Sequence, residues 1–211
     1  MPSIRPSRKA SLGKRLICEL SVLLLLTSFP LTADDQKPEK LKFHDDSGKT
    51  LFSPKFKDDG AKLVDGDEKE LSRMTRSGDK IKIKTADDKP LGMIIVSKDK
   101  IRLESPDEKP ICLLHRQSSD GWKVEDGQGK RLGTIKHRDY GAELEDSNQK
   151  SLYKAKLKNG KTSLRTADDK SVYTTHEAVS AAAISCLGLE NVSDPRLRFA
   201  LMFAVDHGTS K

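Results

Sequence analysis

Aromatic residues make up 5% of this chain of 211 residues, and Trp122 is its single tryptophan. A stacked-hairpin solenoid that grips sugars or quaternary amines needs Trp or Tyr in every unit, so that architecture is disfavoured. Catalytic signatures are missing as well: no Gly-x-Ser-x-Gly, no His-Glu-x-x-His and no Cys-x-x-Cys occurs. His44, His115, His137, His176 and His207 are scattered, with no pair at metal-ligand spacing. "GQGKRLG" at 127–133 mimics a nucleotide loop, but its glycines are wrongly spaced and it joins strand to strand. No catalytic residue, metal or cofactor is assigned.

Cysteine is scarce too. Cys18 sits ahead of an apolar run, whereas the cysteine of a lipoprotein would follow it. Cys112 and Cys186 remain as one even pair. They are either a disulfide in an oxidising compartment or two separate buried thiols acting as small apolar residues.

The first 33 residues follow the order of a secretory signal peptide. Arg5, Arg8, Lys9, Lys14 and Arg15 are basic, Leu20 to Phe29 is apolar, and Pro30 to Ala33 ends the run before Asp34-Asp35. The expectation is an exported protein, periplasmic or extracellular, cleaved near Ala33, with a short linker at 34–40. The chain has 39 basic and 32 acidic residues, a net +7. Setting aside the leader's five basic residues and Glu19 leaves 34 against 31, a net +3. Mixed charge of that kind describes a soluble surface and argues against a nucleic-acid footprint.

What the remainder has in abundance is repetition. "TADDK" occurs twice, at 85–89 and 166–170. Aligned on its lysine, the chain gives Lys49, Lys69, Lys89, Lys109, Lys130, Lys150 and Lys170, at spacings of 20, 20, 20, 21, 20 and 20. An apolar residue follows two places after each: Leu51, Leu71, Leu91, Ile111, Leu132, Leu152 and Val172. Alternating apolar pairs precede each turn, Ile81/Ile83 and Ile101/Leu103 among them. Period-two alternation marks half-buried strands, and segments such as "DGQGK" and "DSNQK" are turn chemistry. "DDG" at 58–60, "SDG" at 119–121, "DYG" at 139–141 and "KNG" at 158–160 are hairpin connections between repeats. Residues 41–175 therefore read as an antiparallel meander of 12–14 short strands in seven hairpin repeats. In the second strand of each repeat apolar residues fall at both phases, and the inward face is ambiguous.

Twelve strands close into a barrel of roughly 24 Å backbone diameter, too wide for strand side chains alone to fill. The tail supplies a filler. "HEAVSAAAISCLGL" at 176–189 is Ala-rich and helical. "DPRLRFALMFAVDHG" has Asp194 as N-cap, Pro195 at the first helical position and Gly208 beyond the end, for a helix over 194–206. From Leu197 to Val205 every residue except Arg198 is apolar, the pattern of a helix enclosed on all sides. It is too short to cross a bilayer, and the mature chain is expected to have no transmembrane span. The last residues, 208–211, are a tail.

This meander of strand–turn–strand units, followed by a hydrophobic helix opening "DPRL" and closing with Asp206, resembles the tubby C-terminal superfamily, with its LURP-one-related proteins and phospholipid scramblases. The resemblance covers about 41–207 and implies a mostly β fold, a barrel closed around a C-terminal helix. Seven hairpins exceed the six such a barrel needs. Whether the first, where Pro54 interrupts the second strand, lies inside or outside the barrel is left open by the sequence. Tubby-like domains bind phosphoinositides through basic surface side chains, which implies a similar contact here without a residue-level match.

In "KIKIK" at 80–84, Lys80, Lys82 and Lys84 share one strand face opposite Ile81 and Ile83, a candidate anion or lipid contact. The same pattern suits the wet face of an amphipathic strand. Paired acids, Asp87/Asp88 and Asp168/Asp169 among them, sit in turns and read as solvated turn residues. Asn191 opens the sequon "NVS" between the two helices. The expected function is a non-enzymatic exported binding or scaffold module, contacting anionic lipid or an envelope polymer and no nucleic acid. The alternatives are a secreted hydrolase using turn carboxylates, and a purely structural repeat protein that binds a partner protein.

Overall fold

Every repeat is built around the same hydrogen-bonded turn in the computed structural model, which describes residues 41–57, 59–117, 121–177 and 179–207. The leader at 1–33, the linker at 34–40 and the tail at 208–211 lie outside the described residues. The first seven strands are β1 (Phe43–His44), β2 (Thr50–Lys57), β3 (Gly60–Asp65), β4 (Glu70–Ser77), β5 (Lys80–Thr85), β6 (Pro90–Ser97) and β7 (Lys100–Glu104). The next seven are β8 (Pro110–Arg116), β9 (Trp122–Asp126), β10 (Arg131–Arg138), β11 (Gly141–Asp146), β12 (Ser151–Lys158), β13 (Lys161–Thr166) and β14 (Ser171–Thr175).

At each turn the first residue's N–H donates to the carbonyl of the repeat lysine, as from Asp65 to Lys69 at 2.9 Å and from Thr85 to Lys89 at 2.9 Å. Where the first residue is aspartate, its carboxylate also accepts from two backbone N–H groups, as Asp126 does from Gln128 and Lys130 at 2.9 Å. In TADDK a threonine hydroxyl does the equivalent work, Thr85 and Thr166 each accepting from the lysine N–H at 3.2 Å. The residue before the lysine is left-handed in all seven turns, with φ from 60° at Glu108 to 85° at Gly48. Glycine fills that position only twice. At the other five the backbone hydrogen bonds hold a Glu, Asp or Gln in a conformation such residues rarely adopt.

The ambiguous inward face of the second strands has a physical cause. In each repeat the pairing skips one residue, the apolar one two places after the lysine. Leu103 pairs with Cys112 and Glu104 with Pro110, leaving Ile111 extra, and Leu51, Leu71, Leu91, Leu132, Leu152 and Val172 are skipped in the same way. A β-bulge at that point reverses the alternation, so apolar residues before and after it fall at opposite phases. The bulged residues line one end of the barrel, and Leu71, Leu91, Ile111 and Leu132 pack against the core from there.

All fourteen strands close into one antiparallel barrel, with β1 pairing β14 through His44 and Thr174. The first hairpin is therefore inside the barrel and closes it, a point that the sequence pattern left open. Pro54 pairs with Leu63 on β3 and lies past the last β1–β2 pair, Phe43–Phe52, so its missing N–H costs no bond on that side.

The lumen is filled by two helical pieces. The helix expected over 176–189 is shorter: α1 (Ala181–Ser185) begins after Ser180, whose hydroxyl accepts from the Ala183 N–H, and tightens into a 3-10 turn, η1 (Cys186–Gly188). Gly188 lies against the Tyr153 ring, where an added Cβ would come within 2.7 Å, so no bulkier residue fits. The second helix, α2 (Pro195–His207), starts where Asp194 accepts from the Arg196 N–H at 2.9 Å. Leu197 and every residue from Phe199 to Val205 are buried, with Leu201 fully enclosed. Helix α2 lies against β4 to β7, while α1 lies against β10 to β13. Among the described residues, no helix is long and apolar enough to cross a membrane.

Candidate functional site

Closure through a two-residue strand leaves a notch on the barrel wall. On the outer face a row of directly opposed residues crosses four strands: Lys156 on β12, Ser163 on β13, Thr174 on β14 and His44 on β1. Around that row runs a groove of about 760 Å³. Lys156, Lys158, Lys161, Arg165 and His176 line it, against the carboxylates of Asp45 and Asp46 alone.

The cations of the groove divide into two kinds. Asp169, in the turn after β13, lies 2.7 Å from the Lys156 ammonium and 3.1 Å from the Arg165 guanidinium. The Lys156 contact first, and Arg165 with it, holds the Asp169 carboxyl below its usual range. Lys158 and Lys161 face each other across the hairpin turn Asn159-Gly160, both exposed, and neither has a carboxylate within salt-bridge reach among the described residues. That turn has φ of 52° at Asn159 and 73° at Gly160, the geometry that lets two residues join twisted strands. The turn thus sets two unpaired lysines side by side. Hydroxyls complete the lining: Ser163 is 8% exposed, and the Ser171 hydroxyl is shielded from solvent with no hydrogen-bond partner among the described residues.

A second concavity lies at the bulge end of the barrel. Its floor is Val124 and Leu144, its rim Leu132 and Leu152, and its roof the segment 188–191 between η1 and α2. It measures about 280 Å³. At its exposed edge the Tyr153 hydroxyl donates to the carboxylate of Glu190, itself exposed, at 2.6 Å. Burial first, then Glu190, pushes that phenol up to about 12.

The flank from β7 to β11 matches its buried carboxylates with cations. Glu104, Glu125 and Glu145 occupy the same repeat position on β7, β9 and β11, and all three are buried. Arg102 meets Glu104 at 2.8 Å, His115 meets Glu125 at 2.9 Å, and Lys136 and Arg138 both meet Glu145 at 2.6 Å. At the seam the equivalent positions are Arg165 and His44, and cation is in surplus.

Lys80, Lys82 and Lys84 do share the exposed face of β5, with Ile81 and Ile83 buried behind them. The strand order does not bring them to the groove, and Lys84 lies 3.6 Å from Asp88. The sequence pattern singled out "KIKIK" and not the groove lysines, although "KAKLKNGK" at 154–161 is a longer run with four lysines. Asp87 and Asp168 are exposed at turn tips, lining neither concavity. Cys112 on β8 and Cys186 in η1 are buried, unbonded thiols. Burial pushes the Cys112 thiol up to about 11, and that of Cys186 rises further through burial and then its neighbour Cys112. Asn191 is exposed between η1 and α2. Among the described residues no group of three or more His, Cys, Asp or Glu side chains is placed to hold a metal ion.

No family model matches the chain, and no curated protein matches it. Among solved structures, the chain is similar to a protein from Arabidopsis thaliana determined by X-ray diffraction. That match has 14% identity, covers 68% of this chain and 90% of the other, and has a TM-score of 0.39. An alternansucrase solved in complex with isomaltononaose matches at 11% identity over 57% of this chain and 13% of the other, with a TM-score of 0.18. Likenesses that distant carry no argument about this chain.

Proposed function

We propose that this protein is a non-enzymatic binding module, exported behind its leader, that takes a multiply charged anion along the seam groove. Lipid headgroups and anionic envelope polymers share that chemistry. One observation supports the reading above the others: Lys158 and Lys161 stand opposed and unpaired on a concave surface, beside Lys156 and Arg165, which Asp169 already pairs. The buried carboxylates Glu104, Glu125 and Glu145 are each met by a cation, whereas Lys158 and Lys161 face each other on a concave surface with attraction to spare. The tubby-like resemblance points toward the same ligand class.

The test has two arms at low salt: sedimentation with phosphatidylglycerol vesicles against phosphatidylcholine vesicles, and pulldown on isolated envelope polymer. Binding in one arm identifies the source of the anion. The double variant Lys158→Glu/Lys161→Glu should lose binding, and Lys80→Glu/Lys82→Glu should keep it. The reverse pattern would move the site to β5, and two blank arms would leave the purely structural reading. Sedimentation should also weaken steeply with added salt, since exposed charges are screened within about 10 Å at 0.1 M.

A further inference from the structure

The pocket at the bulge end has no part in the anion reading. Its chemistry is different: Val124, Leu132, Leu144 and Leu152 supply an apolar body, and the polar groups converge at one side. A concavity of that composition, with a few placed polar atoms, is the usual form of a small-molecule site. The polar side is acidic. Glu190 receives the Tyr153 hydroxyl on Oε1, and its second oxygen has no partner among the described residues. Arg198, whose charge reaches Tyr153, gives its Nε–H to the Val192 carbonyl at 2.6 Å and makes no ion pair with Glu190 among the described residues. Glu145, which also borders the pocket, is already matched by Lys136 and Arg138. A carboxylate with a free oxygen beside an apolar cleft selects a donor.

The pocket is also held open by the fold. Gly188 lies flat on the Tyr153 ring, so the roof cannot carry a side chain at that point. Leu152 is the extra residue of its bulge and stays 40% exposed, lying at the mouth without filling the interior. A volume of about 280 Å³ suits a compact molecule of one or two rings, not a long chain.

We infer that this pocket binds a small apolar molecule ending in a hydrogen-bond donor, a primary amine before an alcohol, with the donor on Glu190 and the body between Leu144 and Leu152. The site is independent of the seam groove, and the ligand has the opposite charge preference.

The experiment titrates the full chain with 1-naphthylmethylamine, 1-naphthalenemethanol and 1-naphthaleneacetate, following probe fluorescence and heat. The amine should saturate one site, with an affinity about tenfold or more above that of the carboxylate, the usual weight of a hydrogen bond to a charged group. Glu190→Gln should bring the amine down to the alcohol's affinity. Leu152→Trp, which puts an indole in the mouth from an exposed position, should abolish binding of all three while the melting curve is unchanged. Lys158→Glu/Lys161→Glu should leave amine binding untouched, which separates a failure here from a failure of the groove. Absence of saturable binding by any probe would overturn the inference. So would equal affinity for amine and carboxylate, or amine binding that persists in Leu152→Trp.

Discussion

Strands β4 to β7 close on α2, whereas β10 to β13 close on α1 and η1, and the two inner walls differ to match. The first wall is bulky, with Met74, Ile81, Ile83, Ile94 and Ile101 buried against a helix that brings Leu197 and Leu201. The second wall is small where the helix is small: Ala142, Ala155 and Thr162 are buried beside the Ala-rich α1. At Gly141 an added Cβ would come within 3.1 Å of the Ala181 Cβ, a separation that leaves no slack. The second wall still brings large side chains, Ile135, Leu144 and Leu164, away from those small positions. Both concavities fall on the second half. The pocket opens where η1 ends beside its inner wall, and the groove lies on its outer face near the seam.

The comparison can be broken most severely through α2. Leu201→Asp should give no folded protein, because an unpaired charge would sit in a dry lumen. The milder Leu201→Ala should cost about 2–5 kcal/mol in urea unfolding, as for other enclosed leucines. Removing 194–211 should empty the lumen, expose its apolar lining and yield an aggregate in gel filtration, and a monomeric product that melts cooperatively would contradict the shared-lumen account.

On the other wall the sensitive direction is addition. Ala155→Leu should destabilise by about 1–3 kcal/mol, since α1 leaves no room at its wall. A neutral result in thermal melting would mean that the second half is loosely packed.

The balanced flank should respond less. Glu145→Gln leaves Lys136 without its carboxylate and Arg138 with Glu143 alone, and should cost about 1 kcal/mol, reduced because both cations are about a third exposed. Acid should act on both halves. Glu70 is held below the usual carboxylate range chiefly by Arg73, Glu125 chiefly by Lys123, and Asp169 chiefly by Lys156. A depressed folded-state pKa gives stability that is present above the unfolded value and lost as pH falls through the folded one. The urea midpoint should therefore be flat near neutrality and drop below about pH 4. The smallest effect is expected at the pocket mouth, where Leu152→Trp should shift stability by under about 0.5 kcal/mol.

Much of this architecture was legible before any coordinates. Seven lysines at a spacing of 20 or 21, alternating apolar pairs and an all-apolar helix announce a meander that must enclose its tail. These signals are local: turn chemistry acts over five residues and strand alternation over two, so each can be read within a short window. The bulges were visible only as an unexplained clash of phase, because a skipped pair is a property of two strands together. The place of the first hairpin, the sharing of the lumen by two helical pieces and the pairing of small residues with α1 belong to the same kind. So do the candidate sites. Lys158 and Lys161 are neighbours in sequence, but their importance comes from His44 and Asp45, more than a hundred residues away, arriving across the seam. Glu190 meets Tyr153 only after the barrel has closed. Local hydrogen bonding and patterning settle which elements form; which surfaces are left unpaired depends on how a closed ring of strands brings distant repeats together, and that is decided by tertiary packing alone.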